Sequence, residues 1–117
     1  MSQILNIQAK PWAVTKEKIS QVVELLALDD PNGKIVMFGS AARGNFGQAN
    51  DLDLLIIKKN LLNRYSEVIR LRRLLSDVLM PIDLIVSTES NFKERSLVPG
   101  TLEYRACMEG EILYEPN

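Results

Sequence analysis

The chain has 117 residues, 46% of them hydrophobic and 25% charged, and its 14 Lys and Arg against 15 Asp and Glu leave a formal net charge of −1. That balance provides no field for long nucleic acids or anionic membranes, and the length predicts a single domain. There is no histidine and only one cysteine, Cys107, which excludes His-ligated zinc, Ser-His-Asp catalysis, imidazole acid–base work and an internal disulfide.

No apolar run approaches the roughly 18 residues that a membrane span needs, and the start of the chain lacks a basic-then-apolar leader pattern. A soluble, cytoplasmic protein is expected. Residues 1–14 predict an N-terminal arm ahead of a domain over 15–117. Ile4, Leu5, Ile7, Trp12 and Val14 are too apolar for a free tail, and Pro11 interrupts any helix. The arm packs either on the domain's own surface or on a partner chain, so a homo- or hetero-oligomer stays open.

From Thr15, a residue type suited to an N-cap, Ile19, Val22, Val23 and Leu26 recur at helical spacing. The run Asp29-Asp30-Pro31-Asn32-Gly33 ends that helix, and its two aspartates are expected to be solvated turn residues. Lys34 to Phe38 predicts a first strand and Ser40 to Gly44 one helical turn. Asn45 to Asn50 reads as a mobile loop. Leu52 to Ile57, apolar on both faces, predicts a central strand. A helix is expected from about Leu61 to Leu79, with Leu61, Tyr65, Val68, Ile69 and Leu75 as its apolar positions. Its Arg64, Arg70, Arg72 and Arg73 read as a solvated face interspersed with Glu67 and Asp77. After Met80-Pro81 a third strand covers Ile82 to Val86, with Asp83 between apolar neighbours, where an unpaired carboxylate is expensive. Ser87 to Ser96 is a loop or a short helix. Thr101 to Glu109 is a helix stopped by Gly110 at C′, and Glu111 to Glu115 a small edge strand. Cys107 and Met108 are expected as core or near-core filler.

One stretch, Met37 to Ile57, concentrates the chemistry. Asp51 and Asp53, spaced i, i+2 at the start of an apolar strand, project to one face. Such a pair repels itself and resists desolvation, and a hard cation such as Mg²⁺ is its usual neutraliser. Gly39-Ser40, after the first strand, allows close backbone approach and adds a hydroxyl donor. Arg43 has two readings, a phosphate contact or a surface salt bridge. Glu103 and Glu109 could approach the site or be surface charge.

Gly39-Ser40, ten residues, and then Asp51-Leu52-Asp53 resembles the signature of the polymerase-β-type nucleotidyltransferases, most closely their minimal (MNT) members. Asn50 departs from it, since relatives often carry Ser there. The resemblance implies an α+β fold: a single nucleotidyltransferase domain with a small mixed β-sheet and helices packed mainly on one face. It implies Asp51, Asp53 and Asp83 as catalytic metal ligands for two Mg²⁺ ions, with Gly39, Ser40 and Arg43 binding the phosphates of ATP or another nucleoside triphosphate. A hydroxyl then attacks the α-phosphate in line and pyrophosphate leaves. It further implies a HEPN-domain toxin as partner and acceptor, because minimal members lack an acceptor domain of their own. Two other readings stand beside that one. The chain is a non-catalytic antitoxin acting by contact, or an adenylyltransferase for a small-molecule hydroxyl.

Overall fold

The short β-branched and apolar runs form strands, and the stretches with period near 3.6 form helices that cover them. The structure, a computed structural model, describes residues 11–44, 49 and 51–117. In chain order the elements are α1 (Lys16–Asp29), β1 (Lys34–Phe38), α2 (Gly39–Ala42), β2 (Leu52–Lys58), α3 (Arg64–Leu74), β3 (Ile82–Thr88), α4 (Glu89–Arg95), α5 (Leu102–Glu109) and β4 (Glu111–Tyr114). The sheet order is β3-β2-β1-β4. β1 runs antiparallel to β2 and β4, while β2 and β3 are parallel and joined through α3, the kind of crossover a parallel pair requires. The fold is α+β, as the resemblance implies.

Alternation along the strands splits the core. On one face Ile35, Met37, Leu54, Ile56, Leu84 and Val86 meet Ile19, Val22 and Leu26 of α1, Leu71 of α3 and Leu75 just after it. On the other, Val36, Phe38, Leu55 and Ile57 meet Ala106 of α5 and Phe92 of α4 in a smaller cluster. The two long helices therefore pack on one face and only the short α4 and α5 on the other. The second face is only partly covered, and at the N-terminal ends of β2 and β3 it carries aspartates instead of apolar side chains.

Local chemistry sets the ends of the elements. The hydroxyl of Thr15 accepts from Lys18 N at 3.2 Å and opens α1. Asn63, Thr88 and Thr101 cap α3, α4 and α5 in the same way, at 3.0, 3.1 and 3.0 Å. The open choice over Ser87 to Ser96 thus resolves as a capped helix, α4. Gly110 does end α5, but with an ordinary φ of −78°. Its lack of a side chain matters for space: a Cβ there would lie 2.2 Å from Ala106 O and 2.7 Å from Val36 Cγ1.

Several expectations are corrected. α3 is shorter than expected; of its expected apolar positions Val68 packs against the core and Leu75, just past its end, is buried with Leu71, while Tyr65 and Ile69 are 82% and 53% exposed. Two apolar stripes overlap on this helix, and the one continuing into Leu75 is the one that meets the sheet. Cys107 and Met108 are exposed, because Glu103 and Ala106 form the inward face of α5. Asp29 and Asp30 are not solvated turn residues. Arg70 donates to both carboxylate oxygens of Asp29 at 2.8 Å and to Glu67 at 2.8 Å. The buried Lys58 ammonium lies 3.0 Å from Asp30 and 3.1 Å from Glu67. The hydrogen bonds from Arg70 hold the carboxyls of Asp29 and Glu67 below the usual range. Arg70 thereby leaves the solvated face assigned to the arginines and joins the ends of α1, β2 and α3.

The predicted arm lies largely outside the described residues. Within them, Lys18 Nζ donates to the carbonyls of Pro11, Ala13 and Leu79, Val14 is buried in the main core, and Trp12 is 55% exposed.

Candidate active site

β1 ends at Phe38 and the chain turns at Gly39, whose φ of 76° lies in the left-handed region that glycine enters without a Cβ penalty. A second constraint acts at the same residue. A Cβ on Gly39 would sit 2.1 Å from Oδ2 of Asp53, so the space a side chain would take is filled by that carboxylate. The aspartate of the neighbouring strand thus lies directly against this glycine. Ser40 follows with a half-buried side chain.

The register places Asp53 between Phe38 of β1 and Asp83 of β3. Neighbours in a parallel register share a face, so Asp53 and Asp83 stand side by side, and Asp51 precedes them at the strand entrance. One carboxylate oxygen from each of the three falls within 4.8 Å of the others. Among the described residues none of these side chains makes a hydrogen bond or ion pair. Burial pushes the Asp53 carboxyl up, the charges of Asp51 and Asp83 push it further, and Arg105 and Arg43 oppose the shift. Asp83 is exposed. This corrects the expectation of an expensive site between apolar neighbours: β3 is an edge strand, and Asp83 alternates away from the core that buries Leu84.

The remaining candidates divide. Arg43 makes the surface salt bridge, to Glu109 at 3.2 Å, with its side chain 52% exposed. Glu103 is buried and paired with Arg95 at 3.1 Å, outside the carboxylate cluster. Glu109 reaches the edge of the site through Arg43. Asn50 and the loop segment 45–48 lie outside the described residues. Sequence reasoning missed Arg105, whose charge also reaches Asp53. Its only sequence signal is an i, i+4 spacing to Glu109, which reads as an ordinary surface pair. A wide cleft of about 570 Å³, lined by Asp30, Lys58, Asn63, Glu67 and Arg70 among others, lies at the opposite end of β2, where both cations are already paired.

The profile of nucleotidyltransferase domains matches residues 17–114, and the chain belongs to that family. Among solved structures, the fold is similar to a candidate nucleotidyltransferase from Sulfolobus solfataricus at 22% identity and a TM-score of 0.57, over 85% of this chain and 78% of the other. It is also similar to a mutant of the toxin–antitoxin complex MntA-HpeT at 19% identity and a TM-score of 0.58, over 84% and 72% of the two chains. At these identities the likeness establishes a shared fold. No curated protein matches the chain.

Nucleotidyltransferase domains in general use a nucleoside triphosphate and a divalent cation. The residues present fit such a cation: three carboxylates and no softer donor converge within 4.8 Å with no charged partner of their own among the described residues. Among the described residues no helix is long and apolar enough to cross a membrane.

Proposed function

We propose that this chain is a minimal nucleotidyltransferase that moves a nucleoside monophosphate, AMP from ATP, onto a hydroxyl of a HEPN-domain partner protein, as the antitoxin of a toxin–antitoxin pair. The observation that carries the reading is the convergence of Asp51, Asp53 and Asp83 beside the Gly39–Ser40 turn. The fold shared with MntA-HpeT, a toxin–antitoxin complex, supports a toxin as the partner.

Asp51, Asp53 and Asp83 would hold the Mg²⁺ ions; bound there, these ions neutralise phosphate charge and make a hydroxyl easier to deprotonate. Gly39 and Ser40 would receive the outer phosphates, the glycine through its backbone and the half-buried serine through its hydroxyl. Asp83, the exposed carboxylate, meets the incoming acceptor and takes its proton. The acceptor oxygen forms a bond to the α-phosphorus while the bond from that phosphorus to the bridging oxygen breaks, and pyrophosphate departs with the electron pair. No histidine is present to act as base. The chain therefore contributes position and charge, the two things phosphoryl chemistry most needs.

The test is incubation with α-labelled ATP, Mg²⁺ and a co-purifying HEPN-domain protein, beside an Asp51→Asn/Asp53→Asn variant. Label is expected on the partner with the native chain alone. Equal neutralisation of the partner by both proteins without label transfer would replace the enzyme with a contact antitoxin. Label appearing only in low-mass material would redirect the reaction to a small molecule.

A further inference from the structure

Three carboxylates attract cations but repel a triphosphate, so a site built for the two together needs positive charge on its other side. α5 and the residue that follows α2 supply it. Oε1 of Glu109 lies 3.2 Å from Nη1 of Arg43 and 3.5 Å from Nη2 of Arg105, so one carboxylate is shared by two guanidinium groups and a net positive charge is left over. Both arginine side chains are about half exposed, 52% and 50%. The guanidinium carbon of Arg105 stands 5.7 Å from the centre of the Phe38 ring. Phe38 is the residue that precedes Gly39 and pairs in register with Asp53. Arg105 is thus held beside the turn, near enough for its charge to reach Asp53, yet it makes no salt bridge to any of the three aspartates.

We propose that Arg105 binds phosphate at this site, forming with Arg43 a two-guanidinium clamp on the outer phosphates of the nucleoside triphosphate, and that Glu109 is the internal counter-ion both arginines exchange for it. The inference rests on the preceding reading of the aspartates as the cation site of a nucleoside triphosphate. Charge then alternates across the site: carboxylates, cations, phosphates, guanidinium groups. Arginine suits the last position because its planar fork matches two phosphate oxygens at once. The competing account makes Arg105–Glu109 a solvent-exposed helical pair, which contributes little and has no bearing on ligands.

Binding of inorganic tripolyphosphate, ATP and AMP to the full chain in Mg²⁺, measured by calorimetry, separates the two. Arg105→Ala should weaken tripolyphosphate and ATP by about tenfold or more while changing AMP far less, and Arg105→Lys should recover part of the loss. Glu109→Gln should tighten tripolyphosphate, because a competing anion is gone. A change for tripolyphosphate within about twofold in Arg105→Ala overturns the proposal, as does an equal loss for AMP and ATP. If Arg105→Ala fails to fold, Glu109→Gln decides, and no tightening overturns it. A native chain that binds neither tripolyphosphate nor ATP sinks this proposal and the nucleotidyl-transfer reading together. Arg105-dependent binding without label reaching any acceptor removes only the transfer reading.

Discussion

Gly39→Ala separates the two constraints on that residue. At φ 76° an alanine occupies the left-handed region, which costs about 1–2 kcal/mol. Its Cβ would also fall 2.1 Å from Asp53 Oδ2 and 3.1 Å from Asp53 Cγ. The β2 backbone cannot retreat, since Leu52 and Leu54 are fully buried and the strand is paired on both sides. The carboxylate must therefore rotate off its position or the turn must shift, adding roughly 1–3 kcal/mol of overpacking strain. Together these give a loss of about 2–5 kcal/mol. Asp53→Ala removes the obstruction, because the Asp53 atom left facing the new methyl is Cβ at 3.4 Å, an ordinary contact. Gly39→Ala should then cost only the backbone strain, and the difference, about 1–3 kcal/mol, is the coupling between the two residues. Urea denaturation of the four proteins without divalent cation measures it. Equal costs for Gly39→Ala in both backgrounds, to within about 0.5 kcal/mol, would refute the claim that this glycine exists to admit the aspartate.

Other predictions follow from the charges. A carboxyl whose pKa is raised in the fold, as burial, Asp51 and Asp83 raise Asp53, favours folding while protonated. That contribution is complete below the ordinary value of 3.8 and is lost as pH rises through the raised one. Without divalent cation, Asp53→Asn should therefore melt above the native chain at neutral pH, the gap should close in acid, and Mg²⁺ should raise the native melting point alone; a gap independent of pH refutes this. Lys58→Met strands Asp30 and Glu67 without their buried partner and should lower stability by about 3 kcal/mol, whereas the exposed Arg73→Met should change it by less than about 0.5 kcal/mol. Equal effects in denaturant would show that the Lys58 network contributes nothing. Cys107, on the outer face of α5, should react with a thiol reagent in the native state, and Cys107→Ser should shift stability by under about 0.5 kcal/mol. Protection of the thiol until unfolding would contradict its placement.

The strands and α1 were legible because each bears one unambiguous period, and the aspartate pair was legible because a strand fixes which face i and i+2 share. What failed to show in the sequence depends on neighbours distant along the chain. Asp29 and Asp30 sit among Pro, Asn and Gly, so local chemistry assigns them to a turn; Lys58 and Arg70, 28 and 41 residues away, make them a staple. α3 carries two apolar stripes, and only the sheet decides which of them is buried. Gly110 follows a helix and so suggests a left-handed cap, yet the carbonyl of Ala106 and the side chain of Val36 are what exclude a larger residue. Arg105 is the same kind of case, since its relation to Asp53 runs through a strand more than sixty residues earlier.

The positions of the three aspartates in the sheet also give them unequal surroundings, which their identical chemistry does not. Asp53 lies on an inner strand, walled by Gly39 on one side and Asp83 on the other, and can move least. On the proposed mechanism Asp53 would be the least mobile of the cation ligands. Asp83 belongs to the outermost strand and is exposed, so an acceptor arriving from solvent meets it first. On the proposed mechanism the exposed Asp83 would take the acceptor's proton and the enclosed Asp53 would hold a cation. Exchanging their surroundings while keeping all three acids, for instance by Ile82→Asp with Asp83→Ile, moves the carboxylate to the opposite face of β3. On the proposed mechanism that change abolishes label transfer, although the composition of the chain is unaltered.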